Sequence, residues 1–465
     1  MRKIHIIQLI LYLLIPALAY SQVDDYKVVD IVLNGNVKTK DYIIYIEIEF
    51  SIGDTLSSEL LNEKIANSRL NLLRTQLFNF VDVEVVENEK NLDIVFNFQE
   101  RWYYWVYPIL EHSERNLSTF LYYKDFNRVN YGLAFDWYNF RGKDEVLRFK
   151  TRFGFKEHYA ISYHKPGFGK RRVDGIWIFA DLFRQKKAIY GVDNNIPVYV
   201  ESYNKYLNNA YDLGVEYTFR PEILYFFEFG LKYQGYYFRS DTLSQNIEMP
   251  IQSFAPKASF KYDKRNSLVY PTKGFYAHFR ISGIVPLNKD YADALSLTAI
   301  VQTNTKFGTS AFGLRNELFL GRMLMEKDKN LLFDEMFKFF GSYVIRGYEY
   351  YYFPSNSLVG LKNTLNWKIC DFRLNVLPKI LPDEFSKFFS IVYLEAFSDF
   401  AYTQSFDYQY IENDNFTDAL VYSLGAGISI ETYYDRLLQF HVSYNSCFDK
   451  FGIFAEFRTP IYKKY

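Results

Sequence analysis

Two cysteines in 465 residues cannot build a disulfide framework. Cys370 and Cys447 lie far apart and form neither a metal pair nor a CxxC redox motif. Export would permit a bridge between them, and two thiols on separate strands can equally stay free. Charge of one sign is also missing. The 54 basic and 54 acidic residues cancel, which argues against the basic surface of a nucleic-acid binder. After the first residues, no apolar run reaches the length of a membrane-spanning helix. Catalytic signatures are absent as well: there is no P-loop, no GxSxG elbow and no helical HExxH. Of the six histidines (His5, His112, His158, His164, His278 and His441), only His158 and His164 are near neighbours, and they lack zinc-type spacing. The paired acids Asp24-Asp25 imply no cleft. These absences predict a protein that is not an enzyme and that needs no metal or cofactor.

What is abundant is aromatic. Phe, Tyr and Trp make up 20% of the chain, with 43 Tyr and 45 Phe. A β-rich membrane protein uses such rings on its lipid face and in interfacial girdles; a soluble aromatic-rich β-protein is the alternative on composition alone. At the N-terminus, Arg2 and Lys3 precede an apolar run from Ile4 to Ala19, and Ala19-Tyr20-Ser21 fits the small-x-small rule. Residues 1–21 therefore read as a secretory signal peptide, cleaved before Gln22.

Residues 22–101 read as a small α+β domain. Tyr26 to Leu33 alternates as a strand, and Asn34-Gly35-Asn36 ends it with turn chemistry. A short helix is predicted over Lys40–Phe50. A second helix is capped by Ser57 or Ser58, with Leu60, Leu61, Ile65 and Leu72 or Leu73 on its apolar face. Phe80–Val85 and Leu92–Phe98 are two further strands around the turn Asn88-Glu89-Lys90-Asn91. The predicted order is β-α-α-β-β.

From Trp102 to the C-terminus the period is two. Tyr211, Leu213, Val215, Tyr217 and Phe219 alternate with Asp212, Gly214, Glu216 and Thr218. Similar rows run through Leu147–Phe153, Phe275–Ile281 and Leu438–Tyr444. The basic row Arg148, Lys150 and Arg152 would line a lumen or meet polar lipid groups. In a soluble sandwich the apolar faces would meet; in a membrane barrel they face lipid while the polar faces line the lumen. Strand length, and the pattern's persistence without a helical layer, favour a transmembrane antiparallel β-barrel over 102–465. Phe451–Arg458 is the predicted last strand, with Phe454 interrupting its polar face. It should close against a first strand near Trp102–Ile109, because an open edge would leave backbone groups unpaired in lipid.

Two stretches stand out within this pattern. Asp263-Lys264-Arg265-Asn266 precedes Tyr270-Pro271-Thr272-Lys273-Gly274-Phe275 at the entry to a strand. Ser342-Tyr343-Val344-Ile345-Arg346-Gly347-Tyr348 sets a charge among apolar and aromatic residues, followed by a glycine that permits a tight backbone. An arginine carried into a lumen requires a carboxylate partner.

With these motifs in this order, the chain resembles the outer-membrane protein assembly family that includes BamA and TamA, the bacterial surface antigens. Ile31, Leu33, Gly35-Asn36, Gly53-Asp54, Leu70 and Phe78–Val83 resemble one POTRA module. Asp263, Arg265, Pro271 and Gly274 resemble the family's strand-entry pattern, and Ile345-Arg346-Gly347-Tyr348 is a close variant of its valine-arginine-glycine-aromatic signature. The resemblance implies a sixteen-stranded barrel. It also implies a long loop, around 322–356, that folds into the lumen between the eleventh and twelfth strands. Arg346, Gly347, Tyr348, Phe397 and Asp399 would form a loop lock, with Phe397 and Asp399 on the thirteenth strand. The family commonly has glycine two positions after the aspartate, where this chain has Ala401. Ile461–Tyr465 also extend beyond the expected terminal aromatic.

The resemblance further implies an outer-membrane location with the N-terminal domain in the periplasm. The implied partners are outer-membrane lipids, unfolded outer-membrane or secreted protein clients, and periplasmic or lipoprotein accessory subunits. The expected function is client assembly or insertion through a lateral gate between the first and last strands. The alternatives are a secretion pore and a non-transporting structural or receptor barrel. A single POTRA module leaves less surface for partners than the several of the main assembly factor. Two-partner secretion transporters carry two such modules and a plug helix, for which no room is visible here.

Overall fold

The computed structural model describes residues 25–112, 129–169, 172–202, 205–240, 247–325, 345–349, 351, 355–375, 383–385, 387–405, 411–414 and 416–458. The predicted signal peptide, Ser342–Val344 and Ile461–Tyr465 lie outside these residues. The described chain divides into two compact units between Glu100 and Arg101.

The first unit contains β1 (Asp25–Asn34), α1 (Asp41–Tyr45), β2 (Thr55–Ser57), α2 (Ser58–Arg74), β3 (Phe78–Asn88) and β4 (Asn91–Glu100). Its sheet runs β2-β1-β4-β3, with β1 parallel to β4. The short β2 adds one strand to the expected order. Helix α1 covers five residues rather than the predicted Lys40–Phe50. Ile43, Ile44, Ile46 and Ile48 are β-branched and resist helix extension. Ser57 caps α2 by accepting from the Leu60 N–H at 3.4 Å. Leu61 and Leu72 are buried, whereas Leu60 is 42% exposed. The predicted helix face was therefore misplaced at that residue, because adjacent positions lie about 100° apart round the axis. Val28, Ile44, Leu72, Phe78, Val81, Ile94 and Phe96 form the core. Gly35 has φ +91°, and a β-carbon there would lie 2.2 Å from the Phe98 carbonyl oxygen, so the turn requires glycine.

The second unit is a single antiparallel sheet of sixteen strands. Its first half comprises β5 (Tyr104–His112), β6 (Val129–Phe140), β7 (Glu145–Gly154), β8 (Lys156–Phe168), β9 (Asp174–Gln185), β12 (Asn208–Glu222), β13 (Tyr225–Ser240) and β14 (Ile247–Asp263). The second half comprises β15 (Gly274–Pro286), β16 (Ala294–Lys306), β17 (Phe312–Met325), β18 (Ser355–Asn375), β19 (Lys387–Ser405), β21 (Leu420–Thr432), β22 (Arg436–Asn445) and β23 (Lys450–Arg458). The remaining strands, β10 (Lys187–Asp193), β11 (Ile196–Glu201) and β20 (Ile411–Glu412), form a separate three-stranded sheet.

Burial is inverted relative to a soluble protein. Leu213, Val215, Phe279, Phe440 and Val442 are exposed, while Asn130, Thr364, Asp399, Ser423 and Ser429 are buried. That distribution is the one demanded when apolar side chains meet lipid and polar ones line a lumen. Phe454, the interruption in the last strand, points inward and stacks on His441 with ring centroids 5.2 Å apart.

Because strands alternate in direction, their connections fall at two ends. The entry end is where β5 begins, and the far end is opposite. At the entry end the sheet curls back towards its start: Arg101 pairs with Asp435 at 2.6 Å, and the Trp105 and Tyr434 rings meet at 5.1 Å. Among the described residues, no backbone ladder joins β5 to β23. The described contacts there run from the start of β5 to the turn between β21 and β22. At the far end, β10 and β11 form a hairpin that reaches β20. Val192 and Asp193 pair with Ile411 and Glu412, and Asn195 Nδ2 donates to Asp414 Oδ1 at 2.7 Å. This cap links the β9–β12 connection to the β19–β21 connection across the sheet order.

Candidate functional site

β17 and β18 are the eleventh and twelfth strands of the large sheet, and β19 is the thirteenth. Strand β17 continues to Met325 and β18 begins at Ser355, so the connection is shorter than the 322–356 expected. Its described part, Ile345–Glu349 with Tyr351, lies against the inner face of the wall made by β18, β19, β21 and β22.

Strand periodicity sets that wall. Tyr393, Glu395, Phe397, Asp399, Ala401 and Thr403 alternate inward along β19, and all are buried. The Asp399 side chain is fully buried, and the burial of its charge is met by three donors. Arg346 Nη2 lies 2.6 Å from Oδ1 and Nε lies 2.8 Å from Oδ2. The Arg346 backbone N–H adds a bond to Oδ2 at 3.0 Å. Fork and backbone together fix both position and orientation, which a lysine could not do. Arg346 Nη2 also donates to Thr364 Oγ1 at 3.0 Å, and its guanidinium carbon sits 3.9 Å from the Phe397 ring centroid.

Gly347 has φ +91°, and an added β-carbon would lie 2.9 Å from Ser443 Oγ. Its carbonyl accepts from Asn445 Nδ2 at 3.0 Å. Tyr348 is fully buried, and its hydroxyl donates to the Tyr422 carbonyl at 3.1 Å. Burial pushes the phenol well above its ordinary range, so it remains a donor. Ile345, Tyr348, Leu358, Ala401, Phe416 and Val421 close a small apolar cluster. The Ala401 methyl occupies part of that cluster, and β19 stays in register through it, pairing Ala401 with Gly360 and Val421. Glu349 Oε1 reaches His441 Nε2 at 3.2 Å.

The structure thus brings Arg346, Gly347, Tyr348, Phe397 and Asp399 into one site. Asp263, Arg265, Pro271 and Gly274 lie elsewhere, at the entry end, where Asp263 ends β14, Gly274 begins β15 and the other two lie in the connection between them. There Asp263 Oδ2 receives Arg265 Nη2 at 2.6 Å, and Arg265 stacks 4.1 Å from the Tyr276 ring centroid. Burial opposes the Arg265 charge, but the bond and charge of Asp263 outweigh it and hold the pKa above the usual arginine value. Pro271 is buried, and Gly274 has φ +110° with the Lys264 carbonyl oxygen 2.1 Å from where a β-carbon would stand.

Sequence reasoning missed the space that receives the loop. Ser423, Gly425, Gly427 and Ser429 place small residues at every second, inward position of β21. A β-carbon on Gly425 would lie 2.3 Å from Phe397 Cζ, so that glycine admits the ring beneath Arg346. The alternation was visible, but its partner across the ladder was not. The arrangement holds a loop through charge, hydrogen bonds and packing. Among the described residues, no group of His, Cys, Asp and Glu side chains is placed to hold a metal.

Comparison with known proteins agrees with this geometry. Residues 139–433 match the Omp85 superfamily domain, and residues 26–101 match the POTRA family, a surface antigen variable number repeat. No curated protein sequence matches the chain significantly. Among solved structures, BamA from Haemophilus ducreyi lacking POTRA domains 1–3 is similar in fold at 14% identity. The match covers 93% of this chain and 85% of that one, with a TM-score of 0.52. CdiB from Escherichia coli is similar at 12% identity, over 94% of this chain and 76% of that one, with a TM-score of 0.51. The family match spans more than half of the sequence and falls on the barrel that carries Arg346 and Asp399, and by that match the chain belongs to the Omp85 superfamily.

Proposed function

We propose that this protein is an outer-membrane assembly factor that passes β-strand clients into the bilayer at the seam between β5 and β23. Its N-terminal repeat, on the periplasmic side, receives the clients. Arg346 and Asp399 lock the inward loop in place. The occupied lumen is the observation that carries this reading. A client crossing the lumen would have to displace a loop held by Arg346, Tyr348 and Asn445, and then the β10–β11 cap. The seam offers less resistance. It has no described backbone ladder, and its outward side chains Leu110 and Ile453 are 79% and 78% exposed, against 50% for Phe440 within the sheet. Client apolar burial and completion of client strand hydrogen bonds supply the driving force without a nucleotide.

Paired cysteines scanned along Tyr104–Ile109 and Phe451–Phe457, in a Cys370→Ser, Cys447→Ser background, test the gate. Oxidation should stop client insertion and leave lumen conductance unchanged. Undiminished delivery through an oxidised seam would refute the gate and favour a secretion pore.

A further inference from the structure

The inward row of β19 holds a second segment, which arrives from the opposite end. The β14–β15 connection, residues 264–273, folds over the lumen instead of turning back tightly. Tyr270 is 1% exposed and donates to Glu395 Oε1 at 2.5 Å. Its ring stacks on that of Tyr393 at 4.0 Å and 24°. Arg315 of β17 approaches the same Glu395 oxygen at 3.3 Å, and its guanidinium carbon lies 5.0 Å from the Tyr270 ring centroid. Ser267 Oγ donates to Glu431 Oε1 of β21 at 3.2 Å, and Leu437 of β22 completes the buried cluster. In sheet order, β15 through β18 separate β14 from β19. These contacts therefore cross the inside of the barrel.

The arm that makes them is stiff. The Asp263–Arg265 fork braces its start, and Gly274 permits close approach of its two ends. Asn266 Oδ1 accepts the backbone N–H groups of Thr272 and Lys273, both at 2.9 Å. A stiff arm held at its tip by hydrogen bonds to carboxylates behaves as a latch rather than a loose turn. Its dock, Tyr393 and Glu395, directly precedes the dock of the far-end loop, Phe397 and Asp399, on the same face of one strand.

We infer that the β14–β15 connection is an entry-end latch on the lumen, closed by the Tyr270 hydroxyl on Glu395. The inference depends on the barrel and not on the insertion reading, and its test uses no client. Full-length protein is reconstituted in lipid vesicles, in the Cys370→Ser, Cys447→Ser background with Val269→Cys as reporter. Tyr270→Phe should raise maleimide labelling of the reporter by about tenfold, the change expected from losing a hydrogen bond to a charged group. Glu395→Gln should act in the same direction, and the double variant should do no more than the larger single change. Heat-modifiable migration identifies folded barrels, so a variant that fails to fold is replaced by the other. Folded single variants with parental labelling, or single effects that add in the double variant, would overturn the latch.

Discussion

Asp399 bears the greatest burden of any single residue in the site, because its charge is wholly buried and depends on Arg346. Asp399→Asn leaves the guanidinium without its counter-charge. It should cost about 3–5 kcal/mol, the usual penalty for breaking a buried pair. The check is a lower unfolding temperature of the compact band in detergent. Arg346→Lys retains charge but loses the fork, and should fall between the parent and Arg346→Ala in the same measurement. Gly347→Ala acts through the backbone. With φ at +91° and Ser443 Oγ 2.9 Å from the new methyl, it should cost about 1–3 kcal/mol. Adding Ser443→Ala should recover only the contact part of that loss, since the strained φ remains. Full recovery in the unfolding temperature would show that backbone strain is unimportant there.

At the scale of elements, β21 is shaped to accept its neighbours. Gly425→Ala would drive a methyl to 2.3 Å from Phe397 Cζ and 2.4 Å from the Val442 carbonyl oxygen. Phe397 must then leave its place under Arg346, so a lower unfolding temperature and looser attachment of the loop are expected. Phe397→Leu should rescue this only in part, because the Val442 backbone cannot move aside. Increased protease cleavage within the β17–β18 connection would report the loosening. In the first unit, α2 is held to its sheet by Leu61 and Leu72. Leu72→Ala should destabilise that unit by about 2–5 kcal/mol. Hydrogen exchange of the full chain should show faster exchange in β1–β4 while β15–β19 remain unchanged.

For the whole molecule, the inverted burial is the property to test. Phe440 lies on the outward face at 50% exposure. Phe440→Arg should cost about 2–4 kcal/mol at the bilayer midplane, against little at an exposed site of a soluble protein. Its measure is the denaturant midpoint for folding into lipid vesicles; an unchanged midpoint would contradict a lipid-facing sheet. The far-end cap, the Arg346 loop and the β14–β15 arm all enter or cover the same lumen. Each is fastened by polar contacts, which can be remade, and the sheet beneath them is continuous over sixteen strands.

Leu213, Val215 and Tyr217 alternating with polar neighbours determined the strand period by themselves, because a pleated strand turns successive side chains to opposite faces. The same local rule made the barrel legible, and the turn chemistry at Gly35 and Ser57 placed most elements of the first unit. Arg346 and Asp399 could be nominated from their motifs, since a charge carried inward needs its opposite. Which residues would complete the site was not local information. Thr364, Tyr422, Ser443 and Asn445 meet the loop only because the ladder register sets four strands side by side. Tyr270 reaches Glu395, 125 positions later in sequence, only because the sheet curls round a lumen. Periodicity is written in neighbouring residues, whereas register and curvature arise from pairing between distant ones, and these were decided by the tertiary structure alone.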